Sequence, residues 1–218
     1  MVAGDKTNGR SPSFDWMELF NTVTTFILLN MLWLFGALLI VTIPAVTAAL
    51  FASMIPWSRG QSPVKPFTTF WLALKKYWLK ATAVFLLDLL LIAFVILNTL
   101  ILRQMGAGHI LAILARTVTV LVAALLILCN IYLWPLLVTV DPPLRDLLKN
   151  GLKLALVHPF WGALVAIMAL IPVALSLFLP QAFLLTATFA ATALILQWGG
   201  WRIIRRYLDE NEIQNLGV

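Results

Sequence analysis

LFNTVTTFILLNMLWLFGALLIVTIPAVTAALFASMIPWS, residues 19–58, runs for forty residues without an Asp, Glu, Lys or Arg. One membrane span needs about 20 apolar residues, so the stretch holds a span and a surplus. The surplus begins at Thr42-Ile43-Pro44. Proline lacks a backbone donor and its ring clashes with the preceding turn, so it breaks a helix unless it opens one. The stretch predicts a span over 19–41, a break at Thr42 to Pro44, and a short helix over 45–57. That helix is about 20 Å long at 1.5 Å per residue, short of the roughly 30 Å hydrocarbon core. Thr42, Pro44 and Thr47 therefore form a candidate helix break, with the two threonines placed to cap freed backbone groups or to line a cavity. Broken helices occur at transporter sites, although a structural kink is the plainer expectation.

Composition fits lipid as the solvent. Of 218 residues, 62% are hydrophobic and 11% charged, whereas soluble domains carry about a quarter charged residues. The formal charge is +6. Its bases flank apolar runs, where positive-inside bias puts them, so the charge is assigned to the bilayer surface and not to nucleic acid. The single cysteine, Cys129, leaves no intrachain disulfide. His109 and His158 are far apart and no CxxC or HxxxH spacing is present, so no metal site is expected. A nucleotide-binding loop and a nucleophile elbow are also missing from the sequence. No cofactor and no enzymatic activity are expected.

The rest of the chain reads as an all-α polytopic membrane protein: five full spans plus the short broken helix, with two basic amphipathic interfacial helices. A polar tail covers 1–18, a single transmembrane helical domain 19–201, and a tail 202–218. The later spans are placed at about 81–102, 110–140, 160–179 and 181–201, with Pro172 as a kink in the fourth span. The interfacial helices are 67–80 and 144–157, with the first read equally as an extension of the next span into water. In the first, Phe67, Phe70, Trp71, Leu74, Tyr77 and Trp78 share a face. In the second, Leu144, Leu147, Leu148, Gly151, Leu152 and Ala155 oppose Arg145, Asp146, Lys149, Asn150 and Lys153. The basic regions around 59–80, 145–153 and 202–206 fall on one side if each long span crosses once. They are assigned to the cytoplasm, with the C-terminus, and the N-terminus is expected there too. Most tryptophans lie near predicted span ends and read as interfacial belts, and Arg116 reads as snorkelling from the outer end of its span.

Ionisable groups within a span are costly and are functional candidates by default. Asp88 lies eight residues beyond Lys80 and Asn130 eleven before Asp141. At 1.5 Å per residue these are depths of roughly 12 and 16 Å from the same side. Gln197, five residues before Arg202, is roughly 8 Å in. Asp88, Asn130 and Gln197 form a candidate polar cluster, against a purely structural interhelical hydrogen bond as the alternative.

The segment across the break resembles the YesL-like family, bacterial integral membrane proteins of unassigned biochemical function. Their early signature is similar to P-[IV]-V-T-I-G-x-A-x-x-A-L-[YF], followed by F-x-x-F-[FW]. Residues 39–51 match at Ile40, Val41, Thr42, Ile43, Ala49, Leu50 and Phe51, and depart at Leu39 and Pro44 where the family has proline and glycine. FTTFW at 67–71 matches the second piece, and Tyr132 to Pro135, Asp141 and LLKNGLKLA at 147–155 resemble a third. The resemblance implies a role in carbohydrate uptake, because such proteins are often encoded beside sugar importers and polysaccharide-degrading enzymes. It implies a cell-membrane location and the lipid bilayer as surroundings. A sugar ABC importer or another membrane protein is the partner it points to, and a homo-oligomer is compatible with it. The first expectation is an accessory component without transport of its own. The alternative is a small transporter or channel acting through the broken helix and the Asp88/Asn130 cluster.

Overall fold

The computed structural model describes residues 16–61, 65–104, 110–178 and 187–208. Most of the polar N-terminal tail, His109, the connection at 179–181 and the end of the C-terminal tail lie outside them. The described residues form seven α-helices and no strand: α1 (Trp16–Ala37), α2 (Ile43–Ser58), α3 (Pro66–Gln104), α4 (Ile110–Thr139), α5 (Leu144–Val157), α6 (Pro159–Phe178) and α7 (Phe189–Ile204). Among the described residues, five stretches are long and apolar enough to cross a membrane: Leu19–Ala37, Ile40–Ser58, Pro66–Gln104, Ile110–Thr139 and Pro159–Phe178. The protein is a multi-pass helical membrane protein.

The break expected at Thr42 to Pro44 falls a little earlier, over residues 38–42, and is a complete reversal. A 3-10 turn, Ile40–Thr42, joins α1 to α2, and Pro44 sits in the first turn of α2, where its missing donor costs nothing. The two helices return antiparallel. The Trp33 indole donates to Thr47 Oγ1 at 3.0 Å, and the Phe26 and Trp57 rings lie 4.7 Å apart. The Thr42 hydroxyl donates to Leu39 O at 2.7 Å and also contacts Gly36 O, tying off carbonyls that the turn frees. Around it Leu38, Leu39, Ile40 and Val41 are 75, 68, 75 and 84% exposed. Such a tip suits hydrocarbon and not water, and in hydrocarbon the internal capping by Thr42 is required.

α2 is the centre of the bundle and packs on α1, α3, α4 and α7. Its buried positions include Ala45, Ala48, Ala49, Ala52 and Ser53. Small side chains let backbones approach where no hydrophobic force drives helices together. α7 uses glycine for the same purpose. A Cβ on Gly199 would meet Val165 of α6 at 2.5 Å, and one on Gly200 would meet Pro135 of α4 at 2.6 Å.

Three expectations change. The 67–80 segment is not a separate interfacial helix but the start of the uninterrupted 39-residue α3, because neither glycine nor proline follows Pro66 to stop it. Its buried stripe is Phe70, Ala73, Tyr77, Ala81 and Val84, while Phe67, Trp71 and Trp78 are exposed. The aromatic periodicity had pointed to a face rotated from the true one, since rings are also stable against lipid and headgroups. The tryptophans are not all belts: Trp201 is buried, and Trp33 and Trp134 make internal hydrogen bonds. By contrast, α5 has the ends expected of 144–157, and its buried side is Leu147, Gly151, Leu154 and Ala155. α6 runs on as helix through Pro172.

Apart from Arg103 and Arg116 at the far end of α3 and α4, the bases whose partners are described gather at one end of the bundle. Arg59, after α2, stacks over Trp201 of α7 at 4.7 Å. Arg202 lies over Trp161 of α6 and Trp198 at 5.4 and 5.5 Å. Lys80 of α3 reaches Asp141 after α4. Because α1 is antiparallel to α2, α1 also begins at this basic end.

Candidate functional site: a polar pair in an apolar cleft

The α3–α4 hairpin brings two of the three expected polar residues together. Asn130 Nδ2 donates to Asp88 Oδ1 at 3.0 Å, 42 positions away in sequence. The same amide donates to Leu126 O at 3.1 Å, and its oxygen accepts the Trp134 indole N–H at 2.9 Å. An indole only donates and a backbone carbonyl only accepts, so the orientation of the Asn130 amide is fixed by its neighbours.

Gln197 belongs to a different contact. It is fully buried and donates to Thr139 Oγ1 at 2.9 Å, near the end of α4. Its amide oxygen has no hydrogen-bond partner among the described residues. Gln197 is one turn closer to the basic end of α7 than Ala193, which faces the Asp88 region. Depth alone had grouped the three residues; the rotation of α7 separates them.

Asp88 and Asn130 line a cleft of about 830 Å³ between α2, the α3–α4 hairpin, α6 and α7. The start of α2 forms part of the same wall, through Ile43, Pro44 and Thr47. The helix break and the intramembrane carboxylate, deduced separately from the sequence, thus share one cavity. Thr42 does not line it and caps the turn instead. Thr192 is a further lining hydroxyl, from α7. The remainder is aliphatic and aromatic, with Phe51 and Trp134 stacked at 6.0 Å.

Two functional-looking groups escaped the sequence reading. Asn30, fully buried in α1, accepts the backbone N–H groups of Phe189 and Ala190 at 2.9 and 3.1 Å. It satisfies the free donors at the start of α7. An asparagine deep inside an uncharged forty-residue run, away from the Asn21 near its start, was a visible signal for it. The second group lies at the basic end, where Asp141 pairs with Lys80 at 2.5 Å and Lys76 at 3.0 Å. Lys80 also donates to Pro142 O at 3.1 Å, and the Tyr77 hydroxyl donates to Val138 O at 3.2 Å. Together they satisfy carbonyls at the C-terminal end of α4 and place positive charge at its negative pole. Partial burial pushes the Asp141 carboxyl up, but the two ammonium groups outweigh it and hold the carboxyl below its usual range.

Residues 26–99 match a family model described as a protein of unknown function, DUF624. The match takes in most of α1, the turn, α2 and α3 as far as Thr99, and so includes Thr42, Pro44, Thr47 and Asp88. Asn130 and Gln197 lie beyond it. No curated protein and no solved structure matches the chain.

Proposed function

We propose that the protein is a non-enzymatic accessory component of bacterial carbohydrate uptake, working through a ligand-binding cleft inside the membrane. The observation that carries the cleft is the meeting of the start of α2, just after the reversal, and the Asp88–Asn130 pair around one cavity. The link to carbohydrate rests on the YesL-like resemblance, with which the match at 26–99 is consistent. In this reading the basic end faces the cytoplasm of the cell membrane and carries both termini, and a sugar ABC importer is the partner.

The cleft chemistry favours an accessory over a sugar carrier. A sugar presents hydroxyls on every side, and each one buried without a partner costs roughly 1–3 kcal/mol. The lining supplies Asp88, Asn130, Thr47 and Thr192 among otherwise apolar residues, apart from the Trp134 indole, and the Asn130 amide is already engaged. The second reading, a small transporter or channel, is favoured by the reversed helix at the cavity wall.

Flux of labelled sugar into liposomes holding only the purified protein separates the two. The accessory reading expects no flux above empty liposomes, together with recovery of the importer when the protein is purified from its own membranes. Sugar flux by the protein alone establishes the transporter reading instead. In cells, Asp88→Asn is expected to lower sugar uptake several-fold at an unchanged protein level, whereas unchanged uptake leaves Asp88 with packing alone.

A further inference from the structure

Asp88 is an acid with no counter-charge beside it among the described residues. Oδ1 accepts the Asn130 amide. Oδ2 has no hydrogen-bond donor among the described residues, and no lysine or arginine lines the cleft. The nearest basic side chain along α3, Lys80, is two turns away and committed to Asp141 and Pro142. Asn130, held by Leu126 O and Trp134, is a positioning residue that keeps Oδ1 occupied and leaves Oδ2 for something else.

An ionised carboxylate in apolar surroundings is stable only when paired. We propose that the cleft binds a hydrophobic organic cation, an apolar body bearing one protonated amine that pairs with Asp88 Oδ2. The ammonium supplies both the missing charge and the missing donor. The body lies against the aliphatic walls of the α3–α4 hairpin, and the stacked Phe51 and Trp134 rings offer π-faces to the positive end. A neutral alcohol leaves the charge unmatched, and an anionic head is repelled. This identity rests on the reading of the cleft as a ligand site.

The test uses the full-length protein in phosphatidylcholine nanodiscs, with protein-free discs as the blank. Tritiated 4-phenylbutylamine is the probe, competed by unlabelled amine, 4-phenylbutanol or 4-phenylbutyrate. Saturable binding displaced by the amine alone is expected. Asp88→Asn should weaken it by about tenfold or more, the scale for losing one buried charge partner, and Asp88→Glu should keep most of it. Ala123→Trp, which fills the cleft from α4 and leaves Asp88 in place, should abolish it. Helix content and elution volume check that each variant is folded. Should Asp88→Asn not fold, Ala123→Trp and competition on the unaltered protein decide. Undiminished amine binding to folded Asp88→Asn, or to Ala123→Trp, overturns the proposal. So does the alcohol displacing the amine equally well. Saturable binding of the alcohol or acid in place of the amine overturns the cation but keeps the cleft as a ligand site. Failure of all three ligands to bind overturns both.

Discussion

α3 and α4 are each one helix with two different halves. Near the basic end, α3 buries Phe70, Ala73, Tyr77, Ala81 and Val84, and α4 buries Ile131 through Leu133 and Pro135 through Thr139. Farther along, the buried residues thin to Leu102 on α3 and to Ala112 and Thr119 on α4. The basic-end half of α4 meets α5 where Leu133 faces Gly151, and α7 where Ile131 and Pro135 face Gly200. In the far halves the Asn98 amide contacts the Thr119 hydroxyl, and Arg116 donates to Leu102 O at 3.0 Å. Both halves are apolar in sequence. Lipid removes the penalty for exposing apolar side chains, so hydrophobicity no longer separates core from surface. Close-fitting small residues and satisfied polar groups take over that role. Asp88 and Asn130 lie where the densely buried stretches of α3 and α4 end, and both line the cleft.

The comparison can be broken most severely on the packed side. Gly200→Val sets a branched side chain against Pro135 and Ile131 O, neither of which can move aside cheaply. Overpacking of this kind costs about 1–3 kcal/mol, and the rigid neighbours place the variant at the upper end. Unfolding of the purified variant in a mixed-micelle SDS titration should show the loss, and a midpoint like that of the native protein would refute the tight α4–α7 contact.

A smaller effect is expected at the basic-end clamp. Asp141→Asn should cost about 0.5–1 kcal/mol, kept low because Lys76 is more than half exposed. The carboxyl titrates lower when folded than when unfolded. Its contribution is therefore complete above the unfolded value of about 3.9 and is lost as pH falls through the folded value. The native protein and the variant should differ at pH 7 and converge in strong acid. A constant difference across that range would show that charge is not the cause.

The least effect belongs to the far half. Asn98→Leu removes a hydrogen bond of the kind worth about 0.6 kcal/mol between membrane helices. It should leave global unfolding almost unchanged while speeding hydrogen exchange at the far ends of α3 and α4. Destabilisation as large as that of Gly200→Val would erase the distinction between the halves.

The sequence alone determined that the chain is a helical membrane protein, that the first apolar run breaks close to Thr42 with Pro44 beside the break, that α5 spans 144–157, and that Asp88 and Asn130 lie at similar depth. Run length, proline chemistry and rise per residue are local properties, legible one segment at a time. Tertiary structure alone decided which way each helix faces. It turned Trp71 and Trp78 outward, sent Gln197 to Thr139 and away from Asp88, joined Lys76 and Lys80 to Asp141, and set Asn30 on the start of α7. The physical reason is that lipid accepts an apolar side chain on any face of a helix, so apolar periodicity leaves rotation open. Rotation is fixed only when a backbone finds a glycine or alanine to press against and a buried polar group finds its partner.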